Sequence, residues 1–176
     1  MRILLILIIA IASLNIYGAK IRKPFNVSLQ QINYHFDHNG SAAGSKDYNC
    51  GTKSYNTHSG TDFSLVVGTD IVAPAKGKVV ATFNGCANYG GLGNTCGGRC
   101  GNYVKVDHGD GTASVFCHMK LNSIKVTNGQ TVSCGQILGQ SASSGNSSGP
   151  HLHFGWKISG VSKDPFSGSC SGDRKS

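Results

Sequence analysis

The stretch SGPHLHFGW (148–156) carries two histidines, His151 and His153, with one apolar residue between them. This pattern predicts a β-strand, in which the side chains at positions i and i+2 project from the same face. Both imidazoles then point to one side, and Leu152 and Phe154 point to the other. Two rings on one face are rarely needed for packing, but they are common where a metal ion or a moving proton is held.

The rest of the chain shows the same short-strand character. Runs rich in Val, Ile, Phe and Thr are separated by turns containing Gly and Asn, and glycine supplies 25 of the 176 residues. Strands are predicted within TDFSLVV (61–67), GKVVATF (77–83), NYVKVDH (102–108), ASVFCHM (113–119), NGQTVSCGQILGQ (128–140) and HLHFGWKI (151–158). The sequence HGDGT (108–112) predicts a tight hairpin. Together these features predict an all-β fold, a small, loop-rich antiparallel β-sandwich or open barrel.

The beginning of the chain has the pattern of a secretory signal peptide. Arg2 precedes an apolar run that ends near Ala12, and the small residues Gly18 and Ala19 follow. The apolar run is shorter than the roughly 20 residues of a transmembrane helix, which disfavours an uncleaved membrane anchor. We expect a signal peptide at 1–18, an irregular N-terminal segment at 19–54, one folded domain at 55–170 and a tail at 171–176.

Cysteine usage agrees with export. All seven cysteines follow the predicted signal peptide, and disulfides persist in oxidising compartments, so we expect a disulfide-stapled domain. Seven is odd, so at least one thiol is free or pairs elsewhere, and the pairing cannot be read from the sequence. The cluster of Cys86, Cys96 and Cys100 suggests a stapled loop. A zinc knuckle is the weaker alternative, because thiols in a secreted chain usually oxidise.

The charge balance narrows the choice of partner and of chemistry. Sixteen Lys and Arg residues stand against eight acidic residues, a formal charge of +8. The basic residues are scattered, which argues against nucleic acid and suits an anionic bacterial wall; the alternative is that the charge only aids solubility. The chain contains no glutamate, so any acid–base chemistry must use His, Asp or Tyr.

A second candidate pair lies in HSGTD (58–62), where His58 precedes Asp62 by four residues. At a turn entering a strand, this spacing again places the two side chains on one face. With one nitrogen from a distant strand they would form a zinc site with three protein ligands and an open fourth position. Alone, the pair more often signals a His–Asp hydrogen bond, but the two histidines about ninety residues later strengthen the metal-site interpretation.

The motifs HSGTD (58–62), VFCHM (115–119) and SGPHLHF (148–154) resemble, in order and spacing, those of the lysostaphin/LytM-type zinc metalloendopeptidases, a family of peptidoglycan hydrolases. The resemblance also includes GNYVKVDHGDG (101–111), NGQTVSCGQILG (128–139) and DPF (164–166), and it spans about residues 55–166.

The resemblance implies a narrow active-site groove and one Zn²⁺ ion held by His58, Asp62 and His153. It also implies that His118 and His151 act on the reaction. The chemistry of the chain supports this division, because one metal needs only one of the two rings beside His58 and Asp62. In a chain without glutamate, an unligated imidazole is the natural general base. Whether His118 or His151 accepts the proton is left open. Strand alternation would place His118 on the same face as Phe116.

The implied function is that of a secreted, bacteriolytic zinc metalloendopeptidase acting on cross-bridge or stem peptides of bacterial peptidoglycan. We expect a monomer that is extracellular, or in the lumen of an endocytic or lysosomal compartment, without nucleic-acid partners or stable membrane insertion after signal cleavage. One alternative is a non-catalytic, chemotaxin-like zinc-containing binding or signalling module, which has no need of both His118 and His151. Another is a D-Ala-D-Ala-type peptidase. The scissile bond, Gly-Gly or D-amino-acid-linked, is left open.

The remaining histidines receive structural interpretations. His108 is expected in a turn. His35 and His38 flank Asp37 and could form a second metal site, but a loop at the groove edge or a structural hydrogen bond is the favoured interpretation. Three sequons for N-glycosylation occur, and a glycan on Asn146 would crowd the groove.

Overall fold

The computed structural model describes residues 21–28, 31–40 and 43–171, which form ten strands and one short helical turn. The strands are β1 (Ile32–Tyr34), β2 (Thr61–Phe63), β3 (Asp70–Val72), β4 (Gly77–Phe83), β5 (Asn102–Asp107), β6 (Thr112–Met119), β7 (Thr131–Val132), β8 (Ile137–Gln140), β9 (Leu152–Ile158) and β10 (Val161–Lys163). The helical turn, of 3₁₀ type, is Cys96–Arg99. The predicted signal peptide lies outside the described residues. Among the described residues, no helix is long and apolar enough to cross a membrane.

Two antiparallel sheets build the fold. The larger has the strand order β1-β2-β9-β6-β5-β4-β7, with β10 beside β9, and β3 pairs with β8 in the smaller sheet. The larger sheet is open, so the predicted all-β antiparallel class is confirmed in its open form. Strand β9, which comes from the stretch with the two histidines, lies inside this sheet and pairs with β2, β6 and β10.

Most of the predicted strands are present, and their lengths follow their contacts. Strand β4 coincides with GKVVATF, and the hairpin at HGDGT joins β5 to β6. The run TDFSLVV forms a strand only at β2. Strands β1, β3 and β10 were not predicted. Each has only three residues, so it is stabilised by its pairing partner and its own sequence carries little signal.

The hydrophobic core covers one face of the larger sheet. Val104, Phe116 and Phe154 point inward from β5, β6 and β9, and Ile71 and Leu138 of the smaller sheet belong to the same buried cluster. Burying a side chain of this size stabilises the fold by about 1.5–3 kcal/mol. The opposite face of β5, β6 and β9 stays open, and this face leads to the functional site.

The N-terminal segment is irregular apart from β1, but it is part of the folded unit. Phe25 is fully buried and its ring meets that of Phe63 at 5.1 Å. The disulfide Cys50–Cys170 ties the segment to the end of the described chain. The segment therefore helps to hold the strand that carries Asp62.

Two further disulfides staple the loop between β4 and β5. Cys86 pairs with Cys96, and Cys100 pairs with Cys117 of β6. The seventh cysteine, Cys134, is a free and exposed thiol. The expected stapled loop is therefore present, and Cys134 is the cysteine left without a disulfide partner.

Candidate active site

Sheet register brings three candidate metal ligands to one point. Asp62 of β2 lies directly opposite His153 of β9, and His58 enters from the turn before β2. His58 Nε2, Asp62 Oδ1 and His153 Nδ1 form a triangle with sides of 3.0, 2.9 and 3.1 Å. Ligand atoms held tetrahedrally at about 2.0–2.1 Å from one metal ion would be about 3.3 Å apart. The triangle therefore has the size of a metal site.

The donor chemistry of this cluster also fits a metal ion. His58 donates its Nδ1–H to the backbone carbonyl of His35 at 2.7 Å, which leaves Nε2 as a bare lone pair. Burial alone would raise the pKa of Asp62, but its close contacts with the ring nitrogens of His153 and His58 outweigh burial and lower that pKa, so the carboxylate is ionised. A buried anion facing two imidazole nitrogens favours a cation between them.

Gly60 leaves room for the ring of His153. A Cβ atom at this position would lie 2.6 Å from the carbonyl oxygen of Phe154 and 2.8 Å from two atoms of the His153 ring. Any larger residue would therefore push the ring or the strand away. The glycine of HSGTD is part of the site even though it has no side chain.

His118 reaches the site because the backbone of β6 departs from regular alternation. Cys117 is the register partner of His153, so strict alternation would place His118 on the opposite, core face together with Phe116. The placement of His118 on the face of Phe116 is therefore wrong. His118 has φ of 61°, and its ring lies 4.6 Å from the ring of His151.

Neighbouring loops hold this unusual backbone. The His118 N–H donates to the Cys100 carbonyl, and the His118 carbonyl accepts from Ala142 N–H, at 2.8 and 2.9 Å. The ring donates its Nδ1–H to the Ser144 carbonyl at 2.7 Å. A left-handed backbone at a non-glycine residue costs about 1–3 kcal/mol, and it persists where surrounding contacts hold it. Gly101 permits the loop packing, because a Cβ there would lie 2.4 Å from the Ser144 carbonyl.

His151 completes the group from the other side. Its Nδ1–H donates to the Gly149 carbonyl at 2.9 Å, and its Nε2 lies 3.8 Å from Asp62 Oδ1. Both His118 and His151 thus use Nδ1 for a backbone carbonyl and keep Nε2 free. Burial, together with the adjacent His151 and His153 rings, lowers the pKa of His118 to about 3. His118 is therefore a neutral imidazole at neutral pH.

Grooves extend from the cluster in two directions. One groove, of about 650 Å³, runs across the open sheet face and includes His153, Cys117 and Gly155 in its lining. The other, of about 750 Å³, lies between loops and includes Asp62 and His151. The ligand cluster therefore lies where the two grooves meet.

Several residues at the site carried no recognised signal in the sequence. The ring of Tyr55 stacks on that of His58 at 4.1 Å, and burial together with the Asp62 carboxylate raises the pKa of its hydroxyl. Its place three residues before HSGTD was the available clue. No sequence pattern indicated that the backbone carbonyls of His35 and Ser144 hold the site histidines, because every residue has a backbone carbonyl.

The other histidines have structural contacts. His38 Nε2 is 2.8 Å from Asp164 Oδ2, which is the structural hydrogen bond that the sequence favoured. Within the described ranges, the cluster of His58, Asp62 and His153 is the one group of three side chains close enough to hold a metal ion. His108 caps the β5–β6 hairpin, where its nitrogens bond to the Lys76 carbonyl and the Ser114 hydroxyl.

Two histidines and a carboxylate converging on an antiparallel sheet, beside two further imidazoles, form the arrangement expected of a metal-dependent hydrolase. The model of peptidase family M23 matches residues 56–165, which is more than half of the chain. The chain belongs to peptidase family M23.

Similar proteins support this assignment. The peptidoglycan DD-endopeptidase ShyA of Vibrio cholerae is 37% identical over 103 residues, which cover 58% of this chain and 21% of ShyA. A zinc-containing peptidase from Vibrio cholerae superposes with a TM-score of 0.62 at 25% identity, over 83% of this chain and 39% of that chain. The catalytic domain of the antimicrobial peptidase lysostaphin from Staphylococcus simulans gives a TM-score of 0.54 at 29% identity, over 77% of this chain and 89% of that domain. The chain spans about a quarter or less of the length of the curated relatives that it matches.

Proposed function

We propose that the protein is a secreted zinc metalloendopeptidase that hydrolyses peptide bonds of bacterial peptidoglycan and is bacteriolytic. The observation that carries this proposal is the convergence of three ligand atoms beside two imidazoles with free Nε2 atoms, at the junction of two grooves. His58, Asp62 and His153 would hold the zinc ion, and His118 and His151 would act on the substrate.

The zinc ion and the two histidines beside it would have different roles in the reaction. A bound zinc ion supplies a Lewis acid, which polarises a carbonyl group and lowers the pKa of water to about 7. His118 and His151 each present Nε2 to the place where the peptide bond would lie, so either neutral ring can accept a proton there, and the ring that becomes protonated can then hydrogen-bond the developing charge. The backbone carbonyls of Ser144 and Gly149 keep both tautomers fixed in that role.

The open geometry favours cleavage within a peptide. Because a groove leaves the cluster on each side, a bound strand can continue in both directions, whereas an exopeptidase of the D-Ala-D-Ala type needs a closed end. The two unligated imidazoles favour an enzyme over a zinc-containing binding module, since binding alone does not use them.

The wall substrate and the location rest on further observations. ShyA is named as a peptidoglycan endopeptidase and lysostaphin as an antimicrobial peptidase, and both resemble this chain. Three disulfides and a basic composition suit an exported protein that meets anionic walls.

Histidine variants test the proposal. We expect His58→Ala and His153→Ala to lose stoichiometric zinc, measured by elemental analysis of dialysed protein. His118→Ala should keep zinc and lose at least about 100-fold in turnover of peptidoglycan, followed by mass spectrometry of released fragments. His38→Gln, a histidine variant outside the cluster, is the matched control and should retain both zinc and turnover. Full activity after exhaustive chelation would contradict the proposal.

A further inference from the structure

The groove across the sheet face has a floor of small side chains and a flank of cations. Val115 and Cys117 of β6 and Gly155 of β9 form the floor, and Lys105 of β5 and Lys157 of β9 stand beside it. Register fixes this layout, because Lys105 lies opposite Val115, and Val115 lies opposite Gly155. Both lysines are half-buried, and both contribute to the lining of the groove.

These two lysines are not neutralised within the described part of the chain. Neither forms an ion pair with a carboxylate there; Lys105 lies 5.1 Å from the centre of the Tyr103 ring. The lining of this groove contains no carboxylate among the described residues. Asp107 follows Lys105 by two positions on the same face, but its carboxylate accepts the Gly109 N–H in the hairpin. The lining of the groove therefore carries two positive charges and no negative charge among the described residues, which favours the approach of an anion.

The positions of the lysines set the spacing of the group they would bind. Lys157 follows His153 by four residues on one strand face, about 13 Å along the strand, with Gly155 midway. Lys105 is two strands away from Gly155, about 10 Å across the sheet. Because an extended peptide advances about 3.3 Å per residue, either ammonium group reaches a charge two to four residues from the scissile bond.

We propose that Lys105 and Lys157 select peptides that carry a free carboxylate at this distance from the scissile bond. This inference rests on the proposed function and names the substrate class. Stem peptides with unmodified carboxyl groups would be preferred. Stems whose carboxyl groups are amidated, and oligoglycine bridges, offer no anion to this groove and would be poorer substrates.

Paired synthetic substrates provide the test. The zinc-loaded full chain is incubated with two cross-linked stem peptides that are identical except that the carboxyl groups near the scissile bond are free in one and amidated in the other. A pentaglycine peptide with an amidated C-terminus, which carries no carboxylate, is the third substrate. We expect kcat/KM, measured by chromatography of the products, to be about tenfold higher for the free carboxylates, mainly through KM, with the difference shrinking at high salt. Equal values for the free and amidated peptides would overturn the inference.

Charge variants identify the residues responsible. Lys105→Gln and Lys157→Gln should each raise KM about threefold to tenfold for the carboxylate substrate and so reduce its advantage over the amidated substrate. Lys157→Glu should reverse the preference. Lys125→Gln, an exposed lysine outside both grooves, is the charge-matched control and should change neither. Unchanged preference in folded, zinc-binding lysine variants would also overturn the inference. Failure of the unaltered protein to cleave any peptide or any peptidoglycan would instead contradict the proposed function.

Discussion

At the scale of single residues, the site depends on a glycine, Gly60, as much as on its histidines. The space at Gly60 is already taken by the His153 ring and the Phe154 carbonyl. We predict that Gly60→Ala weakens zinc binding about 10- to 100-fold, because the ring must move away from His58 and Asp62. Competition with a chromogenic chelator measures this affinity.

A second glycine provides the control for this variant. A Cβ at Gly85 would lie 3.4 Å from its nearest neighbour, the end of the Phe83 ring, which is ordinary contact. Gly85→Ala should keep the zinc affinity of the unaltered protein. An unchanged affinity in Gly60→Ala would show that the ring can shift without cost.

Asp47 gives a residue-scale prediction about acid stability. Its carboxylate accepts backbone N–H groups from Asn49, Gly51 and Lys53. Burial raises the pKa of Asp47, but these hydrogen bonds prevail and lower it below 3.8. As the pH falls, the unfolded chain therefore takes up the proton first. The stabilisation is complete above about pH 4 and is lost as the pH falls through the folded-state pKa.

The variant Asp47→Asn tests this linkage. At neutral pH the variant should be less stable, because an amide nitrogen cannot accept the Lys53 N–H. The difference in urea midpoint between the two proteins should shrink below about pH 4. A constant difference down to strong acid would mean that the carboxylate charge is not involved.

Single residues also show where sequence reasoning succeeds. Alternation around His151 and His153 placed both rings on one face, since a regular strand obeys its period of two. The same rule misplaced His118, because a left-handed backbone conformation leaves no mark in a histidine's side chain. Carbonyl partners such as that of Ser144 are equally invisible, since they depend on which loops meet.

At the scale of structural elements, removal of one disulfide should lower stability alone, and removal of another should lower both stability and activity. Cys50–Cys170 closes a separation of 120 residues and Cys100–Cys117 one of 17. Loop entropy then predicts losses of about 5 and about 3 kcal/mol when each pair is changed to serine. Cys100 also offers its carbonyl to His118, so only the second change should lower turnover well below the unfolding temperature.

Denaturant unfolding and fragment release measure the two effects. The pair Cys86–Cys96 is a control, because its separation of 10 predicts the smallest entropic loss of the three. If removal of Cys50–Cys170 lowered turnover more than removal of Cys100–Cys117 in folded protein, the assignment of the second bridge to the site would be wrong.

Elements also differ in how far sequence predicts them. Strands β4, β5, β6 and β9 were predictable because each carries an apolar face of its own. Strand β1 was not, because three half-exposed residues become a strand only when β2 offers a free edge. Disulfide pairing was likewise unreadable, since it follows from which loops the sheet brings together.

At the scale of the whole molecule, charge should govern attraction to the wall. With 16 basic and 8 acidic residues, the protein carries an excess of positive charge at neutral pH. We predict that the fraction bound to purified anionic walls falls severalfold as NaCl rises from about 50 mM to about 500 mM, because screening shortens the reach of each charge. Co-sedimentation with an inactive His118→Ala protein measures binding without digestion. Binding that ignores salt would assign wall recognition to uncharged contacts.

The register of β9 has a practical consequence for every variant of the site. Asp62, His153 and Cys117 form one row across β2, β9 and β6. A slip of one residue in either pairing would turn His153 to the core face and separate the ligands. We therefore expect zinc affinity to report the alignment of three strands at once, and to reveal a misaligned sheet even when the secondary-structure content is unchanged.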